Sequence, residues 1–405
     1  MGKSQLTTES AQQLEQAGFD TRVVHNGRNP STQGGLVNPP VYHGSTVIFP
    51  TLDALEKMSI EHDTKDAVVY GRMGSQSTFG FENAMADLEN GFGAVSVSSG
   101  MAAVTTAILA FAGSGDHILV VDSVYGPTRA FCNGFLKRVG IEVTYYDPMI
   151  GADIGSLLKA NTRLIFMESP GSITFEVQDV PAIVTVARKH GVITAIDNSW
   201  ATPVFYKPID HGVNISVTSA TKYIAGHADA MVGLITADNE DHFYHLKRCR
   251  DQLGQSLAPD DVFLGARGMR TLGLRVRHHE KQALVIANWL QQHDEVLEVL
   301  HPALPNCPGH EFWKRDFSGA SGLFSCILRP RSKTALAHML DNMSIFSMGF
   351  SWGGFESLIV PQEPARSRTA TRWNKPGQVI RLHAGLEDVN DLIADLDQGL
   401  TRYAS

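Results

Sequence analysis

Cysteine is scarce in this chain. Four residues in 405, Cys132, Cys249, Cys307 and Cys326, stand far apart and form no Cys-x-x-Cys pair. That excludes a disulfide framework and a zinc ribbon, and it predicts a reducing, cytoplasmic setting. None of the 16 histidines stands in His-x-x-x-His or His-Glu-x-x-His spacing, so no metal is expected. No run of about 18 apolar residues occurs, so no membrane span is expected. The polar start, Gly2-Lys3-Ser4-Gln5, lacks the apolar core of a leader peptide, and none is expected. Basic excess is missing as well. Lys and Arg number 34 against 42 Asp and Glu, a net charge of −8, so nucleic acid and anionic membrane are unexpected partners. The acids do not fall in runs and read as a solvated surface. No internal repeat or low-complexity tract is evident.

What is present suits a soluble globular chain with room for two or three cores: 43% apolar and 19% charged residues over 405 positions. Residues 1–70 are turn-rich, with a short helix expected at 6–17, and read as an arm. Apolar strands then recur at 94–97, 117–122, 141–146, 163–167, 192–196 and 215–218, with helical patterns between most of them. Ser77 is the expected N-cap of a helix whose Phe81, Met85 and Leu88 share one face. Strands alternating with helices predict a largely parallel sheet covered on both faces, its ligands gathered at the carboxyl ends of the strands. Gly100, Tyr125, Ser172, Asp197, Ser219 and Lys222 all fall at or just past such ends. The pattern changes after about residue 260. A long helical stretch at 262–292 is followed by strands at 322–328 and 379–382 and helices at 333–341 and 388–403, a smaller α+β domain. The expected limits are 1–70 for the arm, 71–268 for the large domain and 269–405 for the C-terminal domain.

The chemistry centres on Ser219-Ala220-Thr221-Lys222, which closes the strand at 215–218. Hydroxyls and an amine at one sheet rim can hold a phosphate and offer a nucleophilic nitrogen. Lysine amines form Schiff bases with carbonyl cofactors, of which pyridoxal phosphate (PLP) is the commonest. PLP also needs a carboxylate at its ring nitrogen, and Asp197 ends the neighbouring apolar run. Ser98-Ser99-Gly100-Met101 joins a strand to a helix N-terminus, an anion site by its free N–H groups. Tyr125 stands where a ring could stack on a flat cofactor. Tyr70 and Arg72 make a hydroxyl and a fork for phosphate. Arg381, in the apolar run Val379-Ile380-Arg381-Leu382, needs an anion partner and suits a substrate carboxylate. Phe350-Ser351-Trp352-Gly353-Gly354 brings backbone amides close to a ligand.

Ser219-x-Thr221-Lys222-Tyr223-x-x-Gly226-His227 with Asp197-Asn198 upstream resembles the Cys/Met-metabolism family of PLP enzymes. Tyr70-Gly71-Arg72, Glu168-Ser169-Pro170-Gly171-Ser172, Gly268-Met269-Arg270-Thr271-Leu272, Ser351-Trp352-Gly353-Gly354 and Arg381-Leu382-His383-x-Gly385-Leu386-Glu387-Asp388 extend the likeness over nearly the whole chain. The resemblance implies the fold of type I PLP-dependent transferases (aspartate-aminotransferase-like), an α/β large domain plus a smaller C-terminal domain. It implies a small amino-acid substrate and a homotetramer of dimers with shared sites, Tyr70 and Arg72 reaching the neighbouring subunit's cofactor. Catalysis falls on Lys222, Tyr125 and Asp197. The cofactor falls on Tyr70, Arg72, Gly100, Met101, Tyr125, Asp197, Ser219, Thr221 and Lys222. The substrate falls on Arg381, Ser351, Trp352 and Tyr70. The likeness is strongest to bacterial members that break the β carbon–sulfur bond of L-cystathionine in methionine biosynthesis. Relatives acting at the γ-carbon usually carry Ser-Leu-Gly-Gly where this chain has Ser351-Trp352-Gly353-Gly354. Methionine γ-lyases place a cysteine where it has Pro127. A γ-acting enzyme and a non-catalytic PLP-binding regulator are the alternatives. Where many relatives have Asn near the cofactor hydroxyl this chain has Ser172, and Phe350 replaces the tyrosine of its nearest kin.

Overall fold

The computed structural model describes residues 16–61 and 64–405. The helix expected at 6–17 lies almost wholly outside the described residues. The strand–helix alternation forms one seven-stranded sheet. Its strands are β1 (Gly93–Val97), β2 (His117–Val121), β3 (Glu142–Tyr146), β4 (Thr162–Glu168), β5 (Ile193–Asp197), β6 (Ile215–Thr218) and β7 (Gly233–Ala237). Their order is β1-β7-β6-β5-β4-β2-β3. β2 pairs in parallel with β3 and β4, β4 with β5, and β5 with β6. β7 runs antiparallel to β6 and to β1. The alternating pattern does not foresee β7, because the chain returns from β6 by a wide helix-free connection that carries Lys222. Strands β1, β2, β6 and β7 are buried along their whole length. Helices on both faces explain why they read as continuous apolar runs rather than alternating ones.

A second, antiparallel sheet holds β8 (Val296–Leu300), β9 (Leu323–Leu328), β10 (Leu358–Gln362) and β11 (Gln378–His383), in the order β10-β11-β9-β8. The sequence marks only β9 and β11. β10 carries Pro361, which argues against a strand, yet it lies at the sheet edge, where a missing N–H is tolerated. β8 is the other edge and only partly buried. The helical stretch at 262–292 is two helices, Pro259–Met269 and Leu272–Leu290, broken at Arg270 and Thr271. The second helix places Leu272 and Val276 in the core of the large sheet. Its Ala283, Ile286, Ala287 and Leu290 lie in the core of the small one. Ser77 is not an N-cap. Helix Gln76–Leu88 begins after Ser75, and the Ser77 hydroxyl lies buried in the first turn, 3.0 Å from that of Ser75. Among the described residues no helix is long and apolar enough to cross a membrane, and no group of His, Cys, Asp or Glu could hold a metal.

Candidate active site

The sheet order steps one way from β4 to β6 and the other way from β2 to β3. A crevice therefore opens at the carboxyl ends of β2 and β4. Tyr125 follows β2, Glu168 ends β4, Asp197 ends β5 beside it, and Ser219 and Lys222 follow β6. Parallel pairing thus delivers two carboxyls, a phenol and an amine to one rim.

Lys222 sits in a turn that is held from several sides. Its amine donates to the Ser351 hydroxyl and lies 5.4 Å from the centre of the Trp352 ring. Behind it, the buried guanidinium of Arg275 donates to the carbonyls of Tyr223 (2.7 Å), Ile224 (3.2 Å) and Gly268 (2.7 Å). Gly353, at φ +86°, lets the 351–354 loop close on this turn. A Cβ there would stand 2.9 Å from the Tyr223 nitrogen and 3.1 Å from Lys222 Cα. Ser351 itself adopts φ +84°, a conformation that disfavours any residue with a side chain. Trp352 packs on the buried Tyr223, ring centres 5.3 Å apart. His383 Nε2 accepts the N–H of Gly353 at 3.1 Å.

Electrostatics tune the amine. Burial, and then the Arg381 guanidinium, disfavour its charge, while Asp197 favours it; the outcome is about 8 against an ordinary 10.5. Asp197 is raised above the usual carboxylate range by burial, with Ser199 and Lys222 opposing. Ser199 gives its N–H to Asp197 Oδ1 at 2.9 Å and takes the N–H of Ser219 at 2.7 Å, linking β5 to β6. Glu168 is pushed well above its usual range by burial and then by Asp197. One of its oxygens accepts the Tyr125 N–H at 2.7 Å. Burial, then Glu168, raises the Tyr125 phenol, with Arg381 opposing. Arg381 Nη2 donates to the Ser351 carbonyl at 3.2 Å.

Lys222, Asp197, Tyr125, Arg381, Ser351 and Trp352 therefore form one cluster, beside a cleft of about 520 Å³ lined in part by Thr221, Ser351 and Trp352. Gly100 opens the helix Gly100–Phe111, and a Cβ on it would lie 2.3 Å from the Ser219 hydroxyl. The N-terminal end of this helix, Gly100 and Met101, thus lies against the rim that Ser219 occupies. Thr221 is engaged elsewhere: its hydroxyl donates to the Val232 carbonyl (3.2 Å) and accepts the Val232 N–H (2.8 Å). Tyr70 and Arg72 share no hydrogen bond with this cluster among the described residues. Tyr70 is 46% exposed. Arg72 Nη1 donates to the Asp251 carbonyl at 2.9 Å. Ser172 gives its N–H to the Ser123 carbonyl. Glu168 and Ser199 escape the sequence reading. Their signal is position alone: Glu168 ends an apolar run as Asp197 does, and Ser199 stands two residues past that aspartate.

The donor set fits pyridoxal phosphate. An amine of weakened basicity, a buried carboxylate in want of a cation, and a helix N-terminus facing a serine hydroxyl match its aldehyde, ring nitrogen and phosphate in turn. The family model described as Cys/Met metabolism PLP-dependent enzyme matches residues 20–401. The chain is similar to the cystathionine beta-lyase MetC of Escherichia coli, 44% identical over 95% of this chain and 98% of that one. It is 41% identical to the cystathionine beta-lyase of Haemophilus influenzae, over 95% and 98% of the two chains. An L-alanine/L-glutamate racemase of Wolbachia pipientis is 42% identical over 94% and 96%. Among solved structures, cystathionine gamma synthase from Xanthomonas oryzae pv. oryzae, in complex with aminoacrylate and cysteine, superposes with a TM-score of 0.87 at 30% identity, covering 96% and 99%.

Proposed function

The chain belongs to the Cys/Met metabolism PLP-dependent enzyme family, and from that premise we propose that it acts as a cystathionine β-lyase. With one water, it cleaves L-cystathionine to homocysteine, pyruvate and ammonia. The observation that carries this reading is the Lys222 amine, set between Asp197 and Arg381 beneath Trp352. Pyridoxal phosphate, when bound, supplies a sink for the electron pair left at the substrate's α-carbon. Lys222 is the residue that would hold the cofactor through its amine. Asp197 would supply the negative charge that keeps the cofactor's ring nitrogen protonated. Gly100, Met101 and Ser219 would hold the phosphate, and Thr221 pins their rim to Val232. Arg381 pairs the substrate carboxylate. The Ser351 hydroxyl steers the freed Lys222 amine, which takes the α-proton. Tyr125 or Lys222 then protonates the departing thiolate, and the Tyr125 ring would cover the cofactor.

We assign Tyr70 and Arg72 to the site of a second copy, and the protein to a cytoplasmic homotetramer serving methionine biosynthesis. What supports the shared site is that, among the described residues, neither hydrogen-bonds to the Lys222 cluster, and both lie where an arm rich in exposed apolar side chains joins the large domain. Ile48 is 87% exposed, and Leu36, Val37 and Leu52 are exposed too. Such a surface suits burial between subunits. Trp352 favours β- over γ-elimination, because its ring fills space over the amine.

The Wolbachia match favours one second reading, racemisation, in which the α-proton leaves and returns with no bond to sulfur broken. Incubation with L-cystathionine separates the readings. Pyruvate with homocysteine is expected. Mainly 2-oxobutyrate with cysteine would make the enzyme γ-acting. Intact substrate, together with D-alanine formed from L-alanine, would make it a racemase.

A further inference from the structure

The connection from β10 to β11, residues 363–377, crosses back to the large sheet and closes on Asp122, the residue after β2. Asp122 is buried, and its carboxylate accepts three successive backbone N–H groups of this strap: Thr369 at 3.0 Å, Ala370 at 3.1 Å and Thr371 at 2.8 Å. The Thr371 hydroxyl adds a fourth donor at 2.8 Å. Arg129 Nη2 completes the set, 2.6 Å from Oδ1 and 2.8 Å from the Asp122 carbonyl, while its Nη1 reaches the Thr369 hydroxyl at 3.2 Å. The strap has a second anchor. Arg368 pairs with Glu176 at 2.7 Å, both side chains nearly buried. Burial alone would raise Asp122, yet the strap's N–H groups and the Thr371 hydroxyl bring it down to about 2.

Tyr125 lies between the two gripped residues, three after Asp122 and four before Arg129. Its N–H is held separately by Glu168. Its carbonyl accepts the N–H of Arg129 at 3.0 Å. The strap continues into β11, which carries Arg381. We propose that the strap is a positioning element for Tyr125, with Asp122 and Arg129 transmitting the placement of the Arg381 sheet to the phenol. The inference rests on the reading of Tyr125 as an acid for the departing thiolate. It goes beyond that reading by naming what sets the hydroxyl's position and what ties it to carboxylate binding. Charge-assisted hydrogen bonds to one buried carboxylate make the linkage stiff. A displacement of about 1 Å in such a group can cost a hundredfold in rate.

The test is a double-mutant cycle on the holoenzyme with Asp122→Asn and Tyr125→Phe, followed by kcat/KM for L-cystathionine. The amide keeps the shape but replaces one accepting oxygen with a donor. Asp122→Asn should lower kcat/KM on the order of tenfold to a hundredfold in the native background. It should cost less than about twofold once Tyr125 is phenylalanine, since contacting residues acting as a unit are not additive. Equal losses in both backgrounds, or no loss in either, would overturn the strap's role. A second readout does not depend on Tyr125 being catalytic. Ultraviolet titration, differenced against Tyr125→Phe, should show the phenol ionising at lower pH in Asp122→Asn, because the shielding that raises it is relaxed. If Tyr125→Phe is fully active but this shift appears, the catalytic reading fails and the strap stands. No shift sinks the strap. Should Asp122→Asn not fold, Thr371→Val removes one donor only, and the same cycle should show about a threefold loss, again confined to the native background.

Discussion

Lys222 gives the sharpest quantitative handle. Its amine is brought from 10.5 to about 8, burial contributing most, Arg381 next, and Asp197 opposing. At pH 7 about one amine in ten is then neutral, against about one in three thousand for an ordinary lysine, and only the neutral form attacks an aldehyde. The assay is recapture of pyridoxal phosphate by the stripped protein, its initial rate followed from about pH 6 to about pH 10. The expected midpoint is near pH 8. Arg381→Gln removes a cation and should move the midpoint up. Asp197→Asn removes an anion and should move it down. Neither variant touches burial, so each moves it by less than the whole displacement. The cofactor's own titrations are common to all three proteins and cancel. A native midpoint near 10, or two variants moving in one direction, would refute the reasoning. Stability gives a cross-check. The folded state binds this proton less tightly than the unfolded one, so the burden on folding is full below about pH 8 and disappears by about 10.5. Lys222→Met should therefore melt higher than the stripped native protein at pH 7, with the gain fading above pH 10.

Asp197→Asn should keep the fold and bind the cofactor, yet lose about two to three powers of ten in turnover, roughly 3 to 4 kcal/mol of charge stabilisation; near-native turnover in a stopped-flow assay would contradict its role. Arg72→Ala and Lys222→Ala subunits, each inactive alone, should regain part of the activity when mixed after mild dissociation, and properly exchanged hybrids that stay inactive would place the whole site within one chain. Gly353→Ala puts a methyl 2.9 Å from the Tyr223 nitrogen at φ +86°. About 1 to 2 kcal/mol of backbone strain follows from the φ alone, and kcat should fall by more than the loss in melting temperature explains, because the methyl pushes on the backbone of Lys222.

Most of the large sheet was legible because its strands are continuous apolar runs that stop at chemistry-bearing residues. β4 ends in Glu168, β5 in Asp197, and β6 runs into Ser219. Parallel pairing then obliges those ends to meet, so the sequence pattern alone pairs Asp197 with Lys222. β7 was illegible for the converse reason: nothing between β6 and β7 has helical period, so no rule of alternation demands a strand there. β10 was hidden by Pro361, whose tolerance depends on being at a sheet edge, a fact of tertiary structure. The arm was legible only as turn-rich chain, and composition and periodicity alone give no sign of which copy Tyr70 and Arg72 would serve; only the family resemblance points to the neighbouring one.

The grip on Lys222 shows where sequence reasoning stops on physical grounds. The motif Ser351-Trp352-Gly353-Gly354 announces close backbone approach, but not to what. Its target, the turn after Lys222, lies about 130 positions earlier in the chain, and the meeting depends on Arg275 holding the carbonyls of Tyr223 and Ile224 from a third segment. Each participant is unremarkable alone: an arginine in a helix, a glycine pair, a buried histidine. Their joint effect is to fix an amine whose charge is already disfavoured and to aim the Ser351 hydroxyl at it. Ser351 holds φ +84° without being glycine. Glycine would adopt that angle freely, so retaining a side chain there argues for the hydroxyl. Ser351→Gly should relieve the backbone while freeing the amine, giving a protein at least as stable as the native one but slower in α-proton removal. A variant that is both less stable and equally fast would show that the serine is there for packing and not for Lys222.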